Sequence, residues 1–354
     1  MHALVEDLLP YLVVFYLVDS LVLVRASEWA LLAPWRGFRL ERSGLHLAGL
    51  SPLAETVGVF VPPLLGRDGV VLVEASVTPP EARFLPYEAI GAVAVDGSAV
   101  RIGDRRVFTP APAAARRLAA AVRSLRDGKV AERPARLDHA LGGKADLERA
   151  RQRRGLQARF GRVLRGLGLA LFLATFGLLP ASVSVEGAPG PAAALLVVLG
   201  LDMAVVALSW RMLRRCGRSR ADAAAVVAPM ALFPPSAIHA ASHLSRDLYV
   251  DLDPLAAAAA VLDGEAFRAV ARRLVQRAEL LRGLGAEAAA GAGAQLTAWR
   301  ELLAAAGTSL EQVLEAPASP DPSAALYCPL CAGEYRAGFS TCSDCGVSLR
   351  ALAT

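Results

Sequence analysis

The sequence is poor in several residue types that mark familiar classes of protein. Charged residues make up only 20% of its 354 residues, which excludes a disordered, charged tail and a coiled-coil rod. Five cysteines are too few for a disulfide scaffold in a chain of this length. Hydrophobic residues nevertheless reach 55%, although aromatic residues contribute only 6%. This excess of aliphatic residues argues against an ordinary soluble enzyme and favours segments that cross a lipid bilayer.

Basic residues are absent from long stretches of the chain. None lies in residues 1–24, between Arg165 and Arg211, or between Arg220 and Arg246. The net charge of +5 is therefore carried by blocks of arginine that alternate with apolar segments. Only two of the 38 basic residues are lysines, and this bias, together with the abundance of alanine, indicates a GC-rich bacterial genome.

Three apolar segments have the length and composition of transmembrane helices. The first lies in residues 1–26, where an acidic start and the lack of a small-residue cleavage site favour a retained helix over a signal peptide. The other two lie in residues 166–210, joined into a hairpin by a turn-forming link at 186–190. Arginines follow the first helix and flank both ends of the hairpin. This arrangement predicts a bacterial inner-membrane protein with an external N-terminus and a cytoplasmic C-terminus.

Residues 36–127 have a different pattern of apolar and polar residues. Short apolar runs at 70–73, 92–95 and 100–102 predict strands, and Asp-Gly and Gly-Asp pairs between them predict tight turns. Residues 112–126 then show the apolar spacing of a helix. We therefore predict several antiparallel strands that are closed by one helix.

This plan, over the stretch from Leu85 to Leu125, resembles the end of bacterial PH-like domains, which commonly lie beside membrane helices. Such modules bind lipids or peptides, and the fold alone does not decide between these ligands. A small juxtamembrane β domain of another topology is the alternative. Residues 128–165 follow as a charged helical segment, whose arginines either set the membrane topology or recruit anionic membrane lipid.

Residues 221–244 leave the number of spans open, because they are apolar and yet contain three prolines. A fourth span here would place the C-terminal region outside. We expect instead an amphipathic or membrane-surface segment followed by a cytoplasmic helix. Further helices are predicted within the α-helical region 221–315, one ending near Arg282, one at 295–306, and a short one that begins with a capping box at 308–311.

The C-terminal segment 327–350 carries the most specific motif in the chain. Two C-x2-C pairs are separated by ten residues, and their cysteines are Cys328, Cys331, Cys342 and Cys345. Each pair places two thiolates on one tight turn, so that four sulfurs can enclose a structural Zn²⁺ ion tetrahedrally. Iron in the same geometry is the alternative, whereas disulfides would need an oxidising compartment. The segment resembles the short zinc ribbons that end many bacterial proteins.

The size and charge of this ribbon bear on its role. It is too small to bury a core, so bound metal would supply its folding energy. Thiolate ligands are easiest to maintain in a reducing cytoplasm, in agreement with three spans rather than four. Only Arg336 and Arg350 are basic, so no nucleic-acid partner is expected and a protein contact is favoured. The Pro-rich linker 316–326 predicts a semi-rigid tether that leaves the ribbon some freedom of movement.

Two further groups of residues give weaker signals for other functions. His239, His243 and Asp247 recur every four residues, so a helix would place them on one face, where they could bind a second metal ion. A polar stripe at the membrane surface is the competing interpretation. Asp19 and Asp202 are acidic residues inside predicted spans, where they either carry function or meet polar partners within the helix bundle.

Together these patterns predict an α+β integral membrane protein with three transmembrane helices, a small cytoplasmic antiparallel β domain, an α-helical region and a zinc ribbon. We expect a non-enzymatic scaffold, assembly or sensor protein that presents the PH-like domain and the ribbon to cytoplasmic protein partners. One alternative is a subunit of a transport or secretion complex that uses Asp19 and Asp202, for which three spans would have to assemble as a homo-oligomer. The other is a membrane-bound metalloenzyme that uses His239, His243 and Asp247.

Overall fold

A computed structural model describes residues 63–354, apart from short gaps. The gaps are residues 75–80, 98, 110–111, 144, 185–189, 233–247, 250–251, 263, 320, 330–332, 344–345 and 354. The predicted helix in residues 1–26 and the first part of the β domain at 36–62 therefore lie outside the described residues. The same is true of Asp19, His239, His243, Asp247, Cys331 and Cys345.

The described part of the chain is α+β, mostly helical, with three small antiparallel sheets. Its α-helices are, in chain order, α1 (Pro112–Asp127), α2 (Arg133–Gly142), α3 (Leu147–Leu173), α4 (Leu179–Ser184), α5 (Pro191–Arg215), α6 (Arg220–Leu232), α7 (Pro254–Val261), α8 (Gly264–Arg282), α9 (Ala286–Ala305) and α10 (Leu310–Leu314). Its strands are β1 (Leu64–Leu65), β2 (Gly69–Glu74), β3 (Glu81–Pro86), β4 (Val93–Asp96), β5 (Ala99–Ile102), β6 (Arg105–Phe108), β7 (Leu326–Tyr327), β8 (Glu334–Tyr335) and β9 (Arg350–Ala351). A π-helical segment, Ala174–Leu178, joins α3 to α4.

The chain divides into two compact units. The described residues of the first unit lie within Gln152–Leu248, which holds most of α3 together with α4, α5 and α6. The second unit combines Leu40–Arg151 with Tyr249–Thr354. The β domain therefore shares one unit with the C-terminal helices and the ribbon, although these regions are far apart in the sequence.

Two three-stranded antiparallel sheets form the β domain, in the orders β1-β2-β3 and β4-β5-β6. The predicted strands are confirmed as β2, β4 and β5, and the predicted helix is confirmed as α1. Gly97 and Gly103 have φ angles of 57° and 63°, a left-handed backbone that glycine adopts at no steric cost. These two glycines close the tight turns on either side of β5, as the Asp-Gly and Gly-Asp pairs predicted.

The core of the β domain lies between its strands and α1. Val70 and Leu72 of β2 are buried there with Val100 of β5 and with Val122 and Leu125 of α1. The two helix residues are three positions apart, the spacing that places side chains on one face of a helix. Their apolar periodicity in the sequence therefore identified the buried face of α1 correctly.

The opposite face of the first sheet is covered by helices from much later in the chain. Leu64 of β1 and Val71 of β2 are buried against Leu281, at the end of α8, and against Ala288 and Ala292 of α9. Strand β2 is consequently buried on both faces. This double burial explains why the sequence of β2 is a continuous apolar run. A strand with one solvent-exposed face would instead alternate apolar and polar residues.

The first unit contains helices that are long and apolar enough to cross a bilayer. One such stretch ends at Val183 and the other is Pro191–Arg215. The first stretch starts at Val130 and includes most of the span predicted from residue 166, and the second includes the span predicted to end at residue 210. Helix α3 begins at Leu147, so the second half of the charged segment 128–165 continues into the first arm of the hairpin, whereas the first half contains the separate helix α2. Large apolar side chains such as Leu196, which is 70% exposed, face outward from the hairpin.

Helix α6 occupies the start of the apolar stretch 221–244 and contacts α5. Ala223, Val227 and Met230 are its buried apolar residues, spaced four and three apart. This spacing gives α6 one buried stripe, but its exposed residues are mostly alanine, so the amphipathic or membrane-surface segment expected here stays a prediction. The rest of the stretch, from 233 to 244, lies outside the described residues.

The helices of the second unit differ from the sequence expectation mainly in their first residues. Helix α8 ends at Arg282, as predicted. Helix α9 begins at Ala286, well before the predicted start at 295, because the preceding alanines favour a helix strongly enough to carry it through two glycines. Helix α10 begins with a capping box formed by Ser309 and Gln312, one residue later than the predicted one.

Candidate functional site

The ribbon is a three-stranded antiparallel sheet with β7 in its centre. The strand order is β8-β7-β9, and an isolated bridge joins Thr341 to Ser348. Cys328 comes directly after β7, and Cys342 comes directly after the bridge residue Thr341. Each predicted pair of metal ligands therefore begins a loop between two paired segments.

The two cysteine loops close with the same backbone hydrogen bond. The amide of Cys328 donates to the carbonyl of Gly333 at 2.8 Å, and the amide of Cys342 donates to the carbonyl of Val347 at 2.9 Å. In both loops the acceptor lies five residues after the donor, so each loop encloses the second cysteine of its pair. Gly346, with a φ of 65°, supplies the left-handed residue of the second loop. Two turns with the same hydrogen bond, each carrying one cysteine pair, are what a metal site with four thiolate ligands requires.

The two cysteines that the structure describes at this site lie away from solvent, and one of them accepts a hydrogen bond from a hydroxyl group. Cys328 is fully buried and Cys342 is 2% exposed. The Tyr335 hydroxyl donates to the sulfur of Cys342 at 3.1 Å, and the amide of Ser343 donates to the same hydroxyl oxygen at 3.3 Å. The bond to Cys342 raises the pKa of Tyr335, because the sulfur holds the phenolic proton. Outer hydrogen bonds of this type orient thiolate ligands around metals.

The described residues contain only half of the predicted ligand set. Within residues 63–354, less the gaps, no group of three or more His, Cys, Asp or Glu side chains could hold a metal ion. Cys331 and Cys345, the second cysteines of the two pairs, lie in those gaps. The buried positions of Cys328 and Cys342 fit a zinc site, which stays a prediction.

The ribbon contacts helix α8 within the second unit. Gln276 Nε2 donates to the Tyr327 hydroxyl at 2.8 Å. Gln276 is 1% exposed and Tyr327 is 3% exposed, so this bond is buried. A cleft of ≈ 150 Å³ remains beside it, lined in part by Arg272 and Arg273. The sequence predicted a ribbon with some freedom on its linker, and the structure adds a contact to α8 through Tyr327, which precedes the first predicted metal ligand, Cys328.

Tyr327→Phe is expected to lower the free energy of unfolding of the ribbon by about 1–3 kcal/mol, because it leaves the buried Gln276 amide without its partner. Hydrogen–deuterium exchange of the full-length protein measures this loss at residues 326–335. The matched control is the double variant Tyr327→Phe/Gln276→Leu, which removes both partners and should recover most of the stability. Equal exchange in the parent and the single variant would show that this bond does not hold the ribbon.

A second group of polar residues lies inside the hairpin. Asp202 and Ser209 of α5 are 1% and 0% exposed, and Thr175 of the π-helical segment is 0% exposed. Asp202 Oδ1 and both hydroxyl oxygens have no hydrogen-bond partner in the described part of the chain. Sequence reasoning singled out Asp202 but missed Thr175 and Ser209, since isolated hydroxyl residues are common in apolar helices. The signal that could have found Ser209 is its position seven residues after Asp202, on the same helix face.

Comparison with protein-family models, curated proteins and solved structures gave no match. The PH-like domain and the zinc ribbon therefore stay predictions.

Proposed function

We propose that this chain is a non-enzymatic bacterial inner-membrane protein that presents a PH-like domain and a zinc ribbon to cytoplasmic protein partners, as a scaffold, assembly factor or sensor. In this proposal it has three transmembrane helices, an external N-terminus and a cytoplasmic C-terminus. The observation that carries the proposal is the equivalence of the two cysteine loops, whose first cysteines are both buried and both donate to a carbonyl five residues on.

Four cysteines would hold the metal: Cys328, Cys331, Cys342 and Cys345. A closed tetrahedral zinc site of this kind links two hairpins and supplies folding energy rather than chemistry. The described chain contributes the two closed loops and the hydroxyl of Tyr335 beside Cys342. These features support zinc as a structural cofactor, with iron as the alternative for the same ligands.

A protein-contact role for the ribbon is supported by its surface. Phe339 is 59% exposed, and its ring centroid lies 5.8 Å from that of Tyr335. Exposed aromatic residues on a rigid element are frequent anchors of protein interfaces. The contact between Tyr327 and Gln276 fixes the ribbon to α8, so a partner bound at Phe339 would be held against the second unit.

The test of this proposal is metal analysis and topology mapping of the full-length protein. Purified in detergent, it should carry about one equivalent of zinc per chain. A reporter fused after Thr354 should be active only as a cytoplasmic fusion, and the protein should remain in membranes after an alkaline wash. A chain free of zinc and iron, an external C-terminus, or release by the wash would each overturn the proposal.

A second candidate is a subunit of a transport or secretion complex that uses Asp19 and Asp202. The observation that favours it is the burial of Asp202, whose Oδ1 has no partner in the described residues, together with the burial of the hydroxyls of Thr175 and Ser209, which also have none there. Buried acids inside predicted spans are costly and often functional. The metalloenzyme with His239, His243 and Asp247 stays a prediction, because these residues lie outside the described part of the chain.

For the second candidate, Asp202→Leu is expected to raise the free energy of unfolding of the hairpin by about 1–4 kcal/mol, because it removes a buried carboxylate whose Oδ1 has no partner in the described residues. Thermal unfolding of the full-length protein in detergent measures the change. Val198→Leu, on the same buried face of α5, controls for added volume. A loss of stability specific to Asp202→Leu would show that the carboxylate is paired within the bundle and would contradict this candidate.

A further inference from the structure

Five exposed arginines cluster where the two arms of the hairpin end. We call them the arginine collar, and its members are Arg159, Arg162, Arg211, Arg214 and Arg215. The first two belong to α3 and the other three to the last two turns of α5. In the sequence, the collar arginines lie just before the apolar part of α3 and just after the apolar part of α5.

One contact shows that the two halves of the collar are neighbours. The guanidinium carbon of Arg215 lies 5.5 Å from the ring centroid of Phe160. Phe160 is 6% exposed and stands next to Arg159 in the sequence. The Arg214 side chain donates to the backbone carbonyl of Arg218, which holds it near the end of α5. The end of α5 therefore lies against α3 at the height of the collar.

Within the residues that the structure describes, no acidic side chain neutralises the positive charge of the collar. None of its five arginines makes an ion pair with an acidic residue in the described part of the chain. Between Glu148 and Asp222 the sequence contains only two acidic residues. One of them, Asp202, is buried in the hairpin, and the other, Glu186, is at least 24 residues from any collar arginine in the sequence. An external anion is the natural partner for this concentration of charge.

Large apolar side chains are exposed along both arms of the hairpin, from Val163 beside the collar to Leu196 about four helical turns away from it. On α3, Val163 is 55% exposed and Leu173 is 59% exposed. On α5, Leu196 is 70% exposed, Leu199 is 41% exposed and Met203 is 53% exposed. A ligand that used both surfaces would carry a negative headgroup joined to hydrocarbon chains. Nucleic acid offers phosphates to the collar but nothing to these apolar side chains.

The geometry points to the arginine collar as a binding site for the headgroups of anionic phospholipids, whose acyl chains lie along the exposed apolar side chains of the hairpin. Guanidinium groups bind phosphate oxygens in a bidentate manner, and an arginine near an anionic membrane surface contributes a free energy equivalent to about fivefold in affinity. This inference rests on the proposed insertion of the hairpin into a membrane. It adds to the proposed function the class of lipid that binds and the residues that bind it.

The test compares lipid binding by the full-length protein in neutral detergent micelles, where membrane orientation does not enter. Phosphatidylglycerol and phosphatidylcholine with identical acyl chains are titrated, and bound lipid is counted by native mass spectrometry. The parent protein should bind phosphatidylglycerol more tightly. Arg211→Gln/Arg215→Gln should lower that affinity roughly 25-fold, at about fivefold for each arginine, and leave phosphatidylcholine binding unchanged.

Two further variants keep the test decisive. Arg101→Gln/Arg300→Gln removes the same charge from exposed residues of the second unit and should bind phosphatidylglycerol as the parent does. Arg211→Lys/Arg215→Lys keeps the charge and should retain most of the affinity, which separates loss of charge from misfolding. Equal binding of both lipids, an equal loss in both glutamine variants, or displacement of phosphatidylglycerol by a short RNA at equimolar phosphate would overturn the inference. Release from membranes by an alkaline wash would instead defeat the proposed function.

Discussion

Replacing Cys328 with serine is expected to abolish metal binding and to unfold the ribbon. A serine hydroxyl is a poor ligand for zinc, and the sequence offers no other cysteine within residues 327–350 beyond the four predicted ligands. Structural zinc sites in small domains contribute about 10–16 kcal/mol of apparent binding free energy, most of which is folding free energy. Each strand of the ribbon has only two residues, and a segment of this size cannot replace this contribution by apolar burial.

The measurements for this prediction are zinc content and limited proteolysis of the full-length protein. Zinc should fall from about one equivalent per chain to near zero, with new cleavage in residues 327–350. The chain provides a matched control in Cys216→Ser, since Cys216 is the one cysteine outside the two pairs and is also buried. Burial raises the pKa of the Cys216 thiol, which makes it a poor metal ligand. Retention of zinc by Cys328→Ser, or loss of zinc in Cys216→Ser, would contradict the ligand assignment.

Gly69→Ala is expected to destabilise the β domain by about 3 kcal/mol or more. A Cβ at Gly69 would lie 2.3 Å from the carbonyl oxygen of Leu85 and 2.6 Å from the Phe84 ring. Gly69 pairs with Pro86 in the β2–β3 ladder, so the oxygen belongs to the neighbouring strand and cannot rotate away. Relief requires the two strands to separate, and β2 is the strand that contributes to both apolar cores.

Hydrogen–deuterium exchange of β2 to β5 in the full-length protein measures the effect of Gly69→Ala as a loss of protection. The control is Gly91→Ala, an exposed position where an added Cβ meets nothing within 4 Å. That substitution should change the free energy of opening by less than about 1 kcal/mol, in the stabilising direction, because alanine restricts the unfolded chain. Similar protection in both variants would show that the approach of β2 to β3 is not close in solution.

Several features of this protein could be predicted from local sequence because local physics determines them. The hairpin at 166–210 follows from apolar length and from the position of its arginines, and two helices of the expected kind are present. The turns beside β5 follow from glycine next to aspartate. The buried face of α1 follows from the spacing of Val122 and Leu125. The pairing of cysteines predicted two similar loops, and the bonds from Cys328 and Cys342 have that similarity.

The sequence alone also decided the order and kind of the elements, since hydrophobic period, turn chemistry and charge act over a few residues. Only the tertiary structure decided which elements pack against each other. The first sheet is buried on both faces because α8 and α9 return to it, and the continuous apolar run of β2 did not reveal which elements those would be. The bond between Gln276 and Tyr327 attaches the ribbon to α8, and no local pattern marks a pair 51 residues apart. The proximity of Arg215 to Phe160 likewise depends on how two helices pack. Such contacts are set by shape and burial summed over the whole unit, which neighbouring residues do not encode.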